Sequence, residues 1–333
     1  MRNSVWFLGL CGVATLCQAG INPIPKESGF SGYGSLSASY SKLNSNVVVG
    51  PDEDESRRLN SWGDQASSSG YKVTPNIDLR YTMAESRTQL YLGTLIQDAV
   101  MFDFTQQFGV RKEFGDKGIG SIAYVFSAIP TEVWADPYLV GQNREKTNRK
   151  SSGVRLGWDS IWGSNFDLTY TYRDIKLDEE RSGSTLGGLS AAERALLDRN
   201  GRSDAFDLSY NWMGKPGNIL TPTLQYRRMD ADGDAMSYKR TGAQLTYALL
   251  QPKYSLITNF MVAKVDYDEA NPVFGKATDA DEWGVNVNFF WNKLWNVDQL
   301  SAIFSVAYGE SDSDVNFYDT DLTNASVGLL YKF

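Results

Sequence analysis

The polar faces of otherwise apolar segments carry a set of basic side chains. These side chains alternate with apolar residues and are Lys72, Arg80, Arg111, Arg155, Arg173 and Arg227. The same faces carry the carboxylates Asp78, Glu113, Asp159, Asp167 and Asp207. A guanidinium group stays charged and binds carboxylate or phosphate through paired hydrogen bonds. These residues could therefore guide anionic or hydroxyl-rich solutes, although charge pairing between neighbouring strands would equally explain them.

Acid-base and metal chemistry have little support in the sequence. The chain contains no histidine, the side chain that most often acts as a general base. Two acidic segments, residues 230–234 and 312–316, have the spacing with which a calcium loop begins. Both lack the glutamate of such a loop, and Ala235 and Phe317 stand at its glycine positions. We therefore expect neither an enzyme nor a dedicated metal or cofactor site.

The elements that would position the charged side chains are strands. Apolar and polar residues alternate in about fourteen segments, and this period of two is typical of strands. Segments of about ten residues suit a tilted strand that crosses a bilayer, and the connections alternate between long polar loops and tight turns. Because a bilayer cannot satisfy a free strand edge, the last strand must pair with the first. The sequence predicts an all-β fold, a transmembrane antiparallel up-and-down β-barrel of about fourteen strands, with twelve or sixteen as alternatives.

The N-terminus has the form of an export signal. Residues 1–19 combine a positive start, an apolar run and small residues at a cleavage site, and residues 20–333 would form a single barrel domain. Cys11 and Cys17 lie in the cleaved segment, so the mature chain would contain no thiol. Loss of Arg2 from the 32 basic residues leaves 31 against 40 acidic ones, which disfavours nucleic acid as a partner.

The chain ends in "SVGLLYKF", in which Ser326, Gly328, Tyr331 and Phe333 form a pattern. This ending resembles the C-terminal assembly signal of Gram-negative outer-membrane β-barrel proteins. The resemblance implies a porin-like barrel in the outer membrane, recognised by the barrel-assembly machinery and surrounded by lipid and lipopolysaccharide. Enzymatic barrels of that kind use a histidine base, so the resemblance also implies no enzymatic activity. The segments "INPIPKESGFSGYGSLSASYS" and "EVWADPYLVGQNREKT" resemble a family of outer-membrane barrels of unassigned function.

We interpret the chain as a monomeric channel for passive diffusion of small or linear polar or anionic solutes. Its lumen would be narrower than that of a porin of about sixteen strands and wider than a filled barrel of about eight. The alternative is a non-conducting structural, adhesive or assembly-partner barrel. Such a protein would act through its long extracellular loops, chiefly residues 43–70 and 129–150.

One long loop has the signature of a short helix. Ser190 and Glu193 have the spacing of a capping box. The apolar side of this helix, which includes Ala191, Ala195 and Leu196, needs a surface that covers it. We expect the loop to lie over the rim of the barrel rather than inside its mouth.

Overall fold

The computed structural model describes residues 23–53, 58–63, 65–95 and 105–333. Within these ranges the chain forms one antiparallel sheet and a short α-helix, α1 (Ala191–Ala195). The strands are β1 (Gly29–Asn44), β2 (Ser67–Met83), β3 (Thr88–Leu95), β4 (Thr105–Glu113), β5 (Ile119–Ser127), β6 (Thr131–Trp134), β7 (Lys146–Asp159), β8 (Phe166–Leu177), β9 (Gly201–Tyr210), β10 (Trp212–Met213), β11 (Asn218–Ala231), β12 (Tyr238–Leu250), β13 (Tyr254–Tyr267), β14 (Ala280–Asn292), β15 (Leu300–Ser313) and β16 (Thr320–Lys332). The predicted signal peptide lies outside the described residues.

The wall of the barrel contains fourteen strands. β9 and β10 act as one wall strand because both pair with β11, and β6 pairs with β7 alone among the strands. The predicted all-β barrel and its strand number are therefore confirmed. Alternation also predicts a short loop near residues 98–101 and a strand from about residue 102, and residues 98–104 lie outside the described ranges.

The interruption between β9 and β10 has a cause in the neighbouring strand. Pro222 of β11 lies between the two ladders and has no amide hydrogen to donate. The side chain of Asn211 bridges the break. It accepts a hydrogen bond from Thr221 Oγ1 at 3.0 Å and donates one to Asp167 Oδ2 at 2.6 Å.

The barrel closes where the last strand pairs with the first. β1 and β16 stay in antiparallel register over twelve residue pairs. Two backbone hydrogen bonds of 3.0 and 3.1 Å then join Gly32 to Phe333, the last residue. A closed sheet leaves no edge that the lipid would have to hydrogen-bond. The prediction that the C-terminal strand closes the barrel is confirmed.

The outward side chains form an apolar belt around the barrel. Leu36, Ile122 and Leu224 are each more than half exposed. Exposed tryptophans stand near the strand ends, at Trp162, Trp212, Trp283, Trp291 and Trp295. An apolar belt with aromatic girdles around a closed barrel is the arrangement of outer-membrane proteins, and the protein is located in the outer membrane. No helix in the described part of the chain could span a bilayer.

The loops of the two rims differ in length, as predicted. Tight turns such as residues 84–87 and 251–253 join strands at one rim, and connections such as 128–145 and 178–200 join them at the other. Short turns face the periplasm in barrels of this type, and long loops face outward. The rim with the long loops is therefore extracellular.

The long loops pack together over the extracellular mouth. We call this assembly the extracellular cap, and it comprises residues 45–53, 58–63, 128–145, 178–200, 232–237, 268–279 and 314–319. Its apolar core includes Leu59, Tyr138, Leu197 and Phe317, each from a different loop. The same core includes inward-facing residues at the extracellular ends of wall strands, such as Met229 of β11. The loops therefore cover the opening instead of standing away from it.

The helix α1 lies at the outer surface of the cap. Both hydrogen bonds of the predicted capping box are present, between Ser190 and Glu193. Of the predicted apolar side, the alanines of α1 are exposed, whereas Leu196 packs against the cap core. Leu197, just beyond the helix, is fully buried in the cap core and anchors the loop.

A glycine at the closure seam gives the first testable prediction. A Cβ atom added to Gly328 of β16 would lie 2.0 Å from Ser37 Oγ and 2.6 Å from Leu36 O. Overpacking of this kind costs about 1–3 kcal/mol or more. We expect Gly328→Val to lower the fraction of refolded protein that migrates as a compact band on an unheated gel.

The matched control lies on the partner strand. A Cβ atom added to Gly34 of β1 meets no atom within 4 Å, so Gly34→Val should fold like the parent chain. Equal folded fractions for Gly328→Val and Gly34→Val would contradict the prediction.

Candidate functional site

The register of the strands aligns inward-facing arginines in one row across the inner wall. Residues directly opposite one another on successive strands are, in order, Arg80, Tyr91, Gly109, Ala123, Arg155, Thr171, Ala205, Arg227 and Arg240. We call these nine positions the arginine row. Barrel strands are tilted against the axis, and a row perpendicular to them therefore climbs obliquely along the lumen.

The positions between the arginines are mostly small. Gly109, Ala123, Thr171 and Ala205 project little into the lumen, so long guanidinium side chains have room beside them. Tyr91 is the exception. A Cβ atom added to Gly109 would lie 2.8 Å from Tyr91 Oη, so the absence of a side chain at Gly109 accommodates this hydroxyl.

Four of the eleven predicted pore residues border an internal cavity of about 500 Å³. They are Arg155, Arg173, Asp207 and Arg227. Two others pair with each other, because Arg80 Nε donates to Asp78 Oδ1 at 2.7 Å. Lys72 is half-buried on the inner face of β2.

The remaining four predicted residues lie toward the periplasmic end. Arg111, Asp159 and Asp167 are each at most 6% exposed, and Asp159 interacts electrostatically with the other two. Asp167 also accepts a hydrogen bond from the Ser160 amide at 2.8 Å, which fixes the turn after β7. Glu113 accepts from Arg87 Nε at 3.0 Å at the periplasmic rim. Charge pairing and turn support thus account for part of the predicted set.

The cavity has three further arginines that the sequence prediction missed. They are Arg149, Arg199 and Arg240. Arg240 could have been found, because it alternates with outward residues along β12 in the same way as Gln244 and Thr246. Arg149 and Arg199 lie at the top of β7 and in the cap. No strand period indicates where a loop residue such as Arg199 points.

Arginines outnumber carboxylates around the cavity. Arg240 Nε donates to Glu282 Oε2 at 2.7 Å, and Arg199 holds Glu180 through two hydrogen bonds of 2.7 and 3.1 Å. Asp207 and Glu310 also border the cavity. Among the described residues, six arginines and four carboxylates thus surround the cavity, and the excess of arginine produces a positive field in the upper lumen. In the described ranges no cluster of acidic residues or cysteines has the form of a metal site.

A second row of inward residues lies directly on the extracellular side of the arginine row. Met229, Tyr238 and Tyr267 are opposite one another on β11, β12 and β13, and all three border the cavity. The two tyrosine rings have centroids 5.3 Å apart. We call these three residues the apolar row. The upper lumen thus combines guanidinium groups with large apolar surfaces.

Loop residues form the roof of the cavity. Tyr138 and Tyr318 border it from the cap, and their hydroxyls are 2.5 Å apart. Asn271 Nδ2 donates to both hydroxyls, at 3.1 and 2.9 Å. Burial raises the pKa of Tyr138 and of Tyr318 above its ordinary value, so both stay protonated at physiological pH. These hydrogen bonds join three loops of the cap, residues 128–145, 268–279 and 314–319.

Apolar side chains also occupy the lumen near its periplasmic end. Ile219, Ile257, Phe290, Ile303 and Leu330 form a buried inward-facing cluster. The sequence prediction missed this cluster because inward apolar residues break the alternation that identifies a lumen face. The lumen is thus narrowed by apolar groups at both ends, by the cap above and by this cluster below.

A family model described as "Protein of unknown function (DUF2860)" matches residues 29–332 of the chain. A search of curated proteins found no significant match. Several solved structures are similar to this chain. The CymD monoaromatic hydrocarbon channel has a TM-score of 0.48 at 8% identity, with 96% of this chain and 92% of that chain covered. The in-vitro folded outer membrane protein OmpT of Vibrio cholerae has a TM-score of 0.43 at 10% identity, with 94% and 100% covered. An anion-selective porin from Comamonas acidovorans has a TM-score of 0.40 at 11% identity, with 92% and 100% covered. At such values these likenesses decide nothing about solute or activity.

Proposed function

The chain belongs to the DUF2860 family, and because that family is described only as of unknown function, we propose a function from the lumen itself. The protein is an outer-membrane channel for passive diffusion of small or linear polar or anionic solutes. The observation that carries this proposal is the arginine row. Its guanidinium groups lie at successive depths of the lumen, where a passing solute can contact them in turn. Charged groups that line a pore set its ion preference.

The arrangement around the row supports an aqueous path. Arginine and carboxylate side chains in such number are costly to bury dry, and the cavity of about 500 Å³ lies against Arg155, Arg173 and Arg227. The cap roofs this cavity with residues such as Val133 and Tyr138. The cap narrows the path above the cavity, and we propose that its movement gates the channel at the extracellular mouth.

The rival proposal is a closed barrel that acts through its loops, and one observation favours it. Trp134 and Arg144 are fully buried in the cap, with the guanidinium 4.0 Å from the indole centroid. Arg144 Nη1 also donates to Asn46 O at 3.0 Å. A cap built on such contacts would suit a fixed surface for adhesion or assembly.

Single-channel recording separates the two proposals. The refolded protein in a planar bilayer, with a potassium chloride gradient across it, should show steady openings and a reversal potential on the anion side. Absence of conductance from protein that migrates as a folded, heat-modifiable band would exclude the channel and leave the loop-based role. Conductance with cation preference would keep the channel and assign its selectivity to the carboxylates.

The remaining features of the proposal concern maturation and partners. The outer membrane surrounds the barrel with lipid and lipopolysaccharide. We propose that residues 1–19 are removed on export and that the barrel-assembly machinery recognises Ser326, Gly328, Tyr331 and Phe333. Tyr331 and Phe333 are half exposed on the lipid side of the seam. We further propose a monomer without enzymatic activity.

A further inference from the structure

We propose that the upper lumen is a binding chamber for an amphipathic organic monoanion, a molecule with one carboxylate or similar head and an aryl body. This inference rests on the proposed function, because it names the solute class that the arginine-lined channel would take. It adds that the solute is held at a site and does not simply diffuse past a charged wall.

The first argument is the order of the two rows. Met229 follows Arg227 by two positions on β11, and Tyr238 precedes Arg240 by two positions on β12. Residues two apart on a strand share a face and lie about 6.8 Å from each other. A guanidinium group and a large apolar group are therefore presented side by side. That separation suits a head and a body within one small molecule.

The second argument is the chemistry of the apolar side. Thioether and phenol groups on the inner face of a pore wall do not favour the passage of ions and water. Met261 also borders the cavity, on the periplasmic side of the arginine row, with its sulfur 3.6 Å from Arg240 Nη2. Methionine adapts its shape to varied apolar groups, and tyrosine offers a flat apolar face with a polar tip. Contact with such a lining makes the binding free energy of an apolar body more favourable.

The third argument is enclosure. The cap covers the cavity from above, and the cluster that contains Ile257 and Phe290 narrows the lumen below. The volume of about 500 Å³ falls within the range of about 300–1,000 Å³ found for small-molecule sites. A cavity of this size, bounded above and below, can bury much of the surface of a small ligand.

The test uses three probes with the barrel reconstituted in lipid nanodiscs. 4-Phenylbutyrate carries both the anionic head and the aryl body, butyrate lacks the ring, and 4-phenylbutan-1-ol lacks the charge. Calorimetric titration, corrected with empty nanodiscs, should show 4-phenylbutyrate binding at least about tenfold more tightly than either partial probe.

Variants then test separately the apolar residues and the arginines of the site. Met229→Gln and Arg227→Gln should each weaken 4-phenylbutyrate binding by about tenfold. Their matched controls are Met213→Gln, in an exposed position beyond β9, and Arg228→Gln, on the outer face next to Arg227. The controls should bind the probe like the parent chain. Every variant is first checked for heat-modifiable migration, so that a loss of binding cannot be a loss of fold.

The outcomes separate this inference from the proposed function. Anion-selective current together with equal affinity for 4-phenylbutyrate and butyrate would overturn the binding chamber and keep the channel. The predicted order of affinities without any current would keep the chamber and overturn the channel. Equal loss of binding in Met229→Gln and Met213→Gln would also overturn the chamber.

Discussion

A disulfide between cysteines introduced at Val48 and Val133 is expected to reduce the ion current at least about tenfold, and a reductant to restore it. Val48, in the loop after β1, faces Val133 of β6 as an isolated antiparallel pair. Hydrogen bonds from Val49 N to Glu132 O (3.3 Å) and from Trp134 N to Val47 O (3.4 Å) flank this pair. That pattern marks a non-hydrogen-bonded pair, whose close Cα atoms suit a disulfide.

The reason for the expected block lies in the position of the two segments. One follows β1 and the other follows β5, strands separated along the wall by β2, β3 and β4. Their pairing therefore bridges the part of the mouth above these strands, and a covalent link would prevent the two loops from moving apart. The mature chain would contain no other cysteine, so the engineered pair has no competing partner.

Single-cysteine variants at the same two positions provide the control. Each should conduct like the parent chain under oxidising and reducing conditions alike. Unchanged current through the oxidised double variant, with the crosslink confirmed by mass spectrometry, would show that solutes pass without separation of these loops. The cap would then not be the gate.

The cap also shows what the sequence could and could not predict. Strand existence and closure followed from alternation, because one face of each strand contacts lipid while the other does not. The cap core brings together Leu59, Tyr138, Leu197 and Phe317, which are far apart in sequence and carry no shared period. Contacts between loops depend on how the barrel places their ends. Alternation within strands contains no information about that placement.

Within the lumen, alternation indicates which way a side chain faces but not which side chains lie beside it. All eleven predicted residues share the inner parity of their strands. Their neighbours depend on the register between strands. The sequence does not show which residues of adjacent strands pair, so it does not reveal that Arg155 and Arg227 belong to one row. The inward apolar groups were hidden for another reason. Ile257 lies on a strand that is apolar on both faces, and such a strand shows no clean alternation.

Replacing both Arg155 and Arg227 with glutamate is expected to reverse the ion preference of the channel from anions to cations. Both side chains border the cavity and belong to the arginine row. The double substitution removes two positive charges and adds two negative ones where a narrow, low-dielectric path strengthens their field. The measurement is the reversal potential across a potassium chloride gradient, which should change sign.

The matched control carries the same change of net charge on the outer surface. Arg202 of β9 and Arg228 of β11 lie on the outward faces of their strands, where Arg202 is exposed and the side chain of Arg228 is 39% exposed. Bulk salt screens exposed charges over about 10 Å at 0.1 M, so glutamates at these two positions should leave the reversal potential nearly unchanged. A similar shift in both double variants would show that selectivity follows the overall charge of the protein. An unchanged potential in the Arg155→Glu/Arg227→Glu protein, with conductance intact, would place the ion path away from the arginine row, because charges that line a narrow path cannot be inverted without effect.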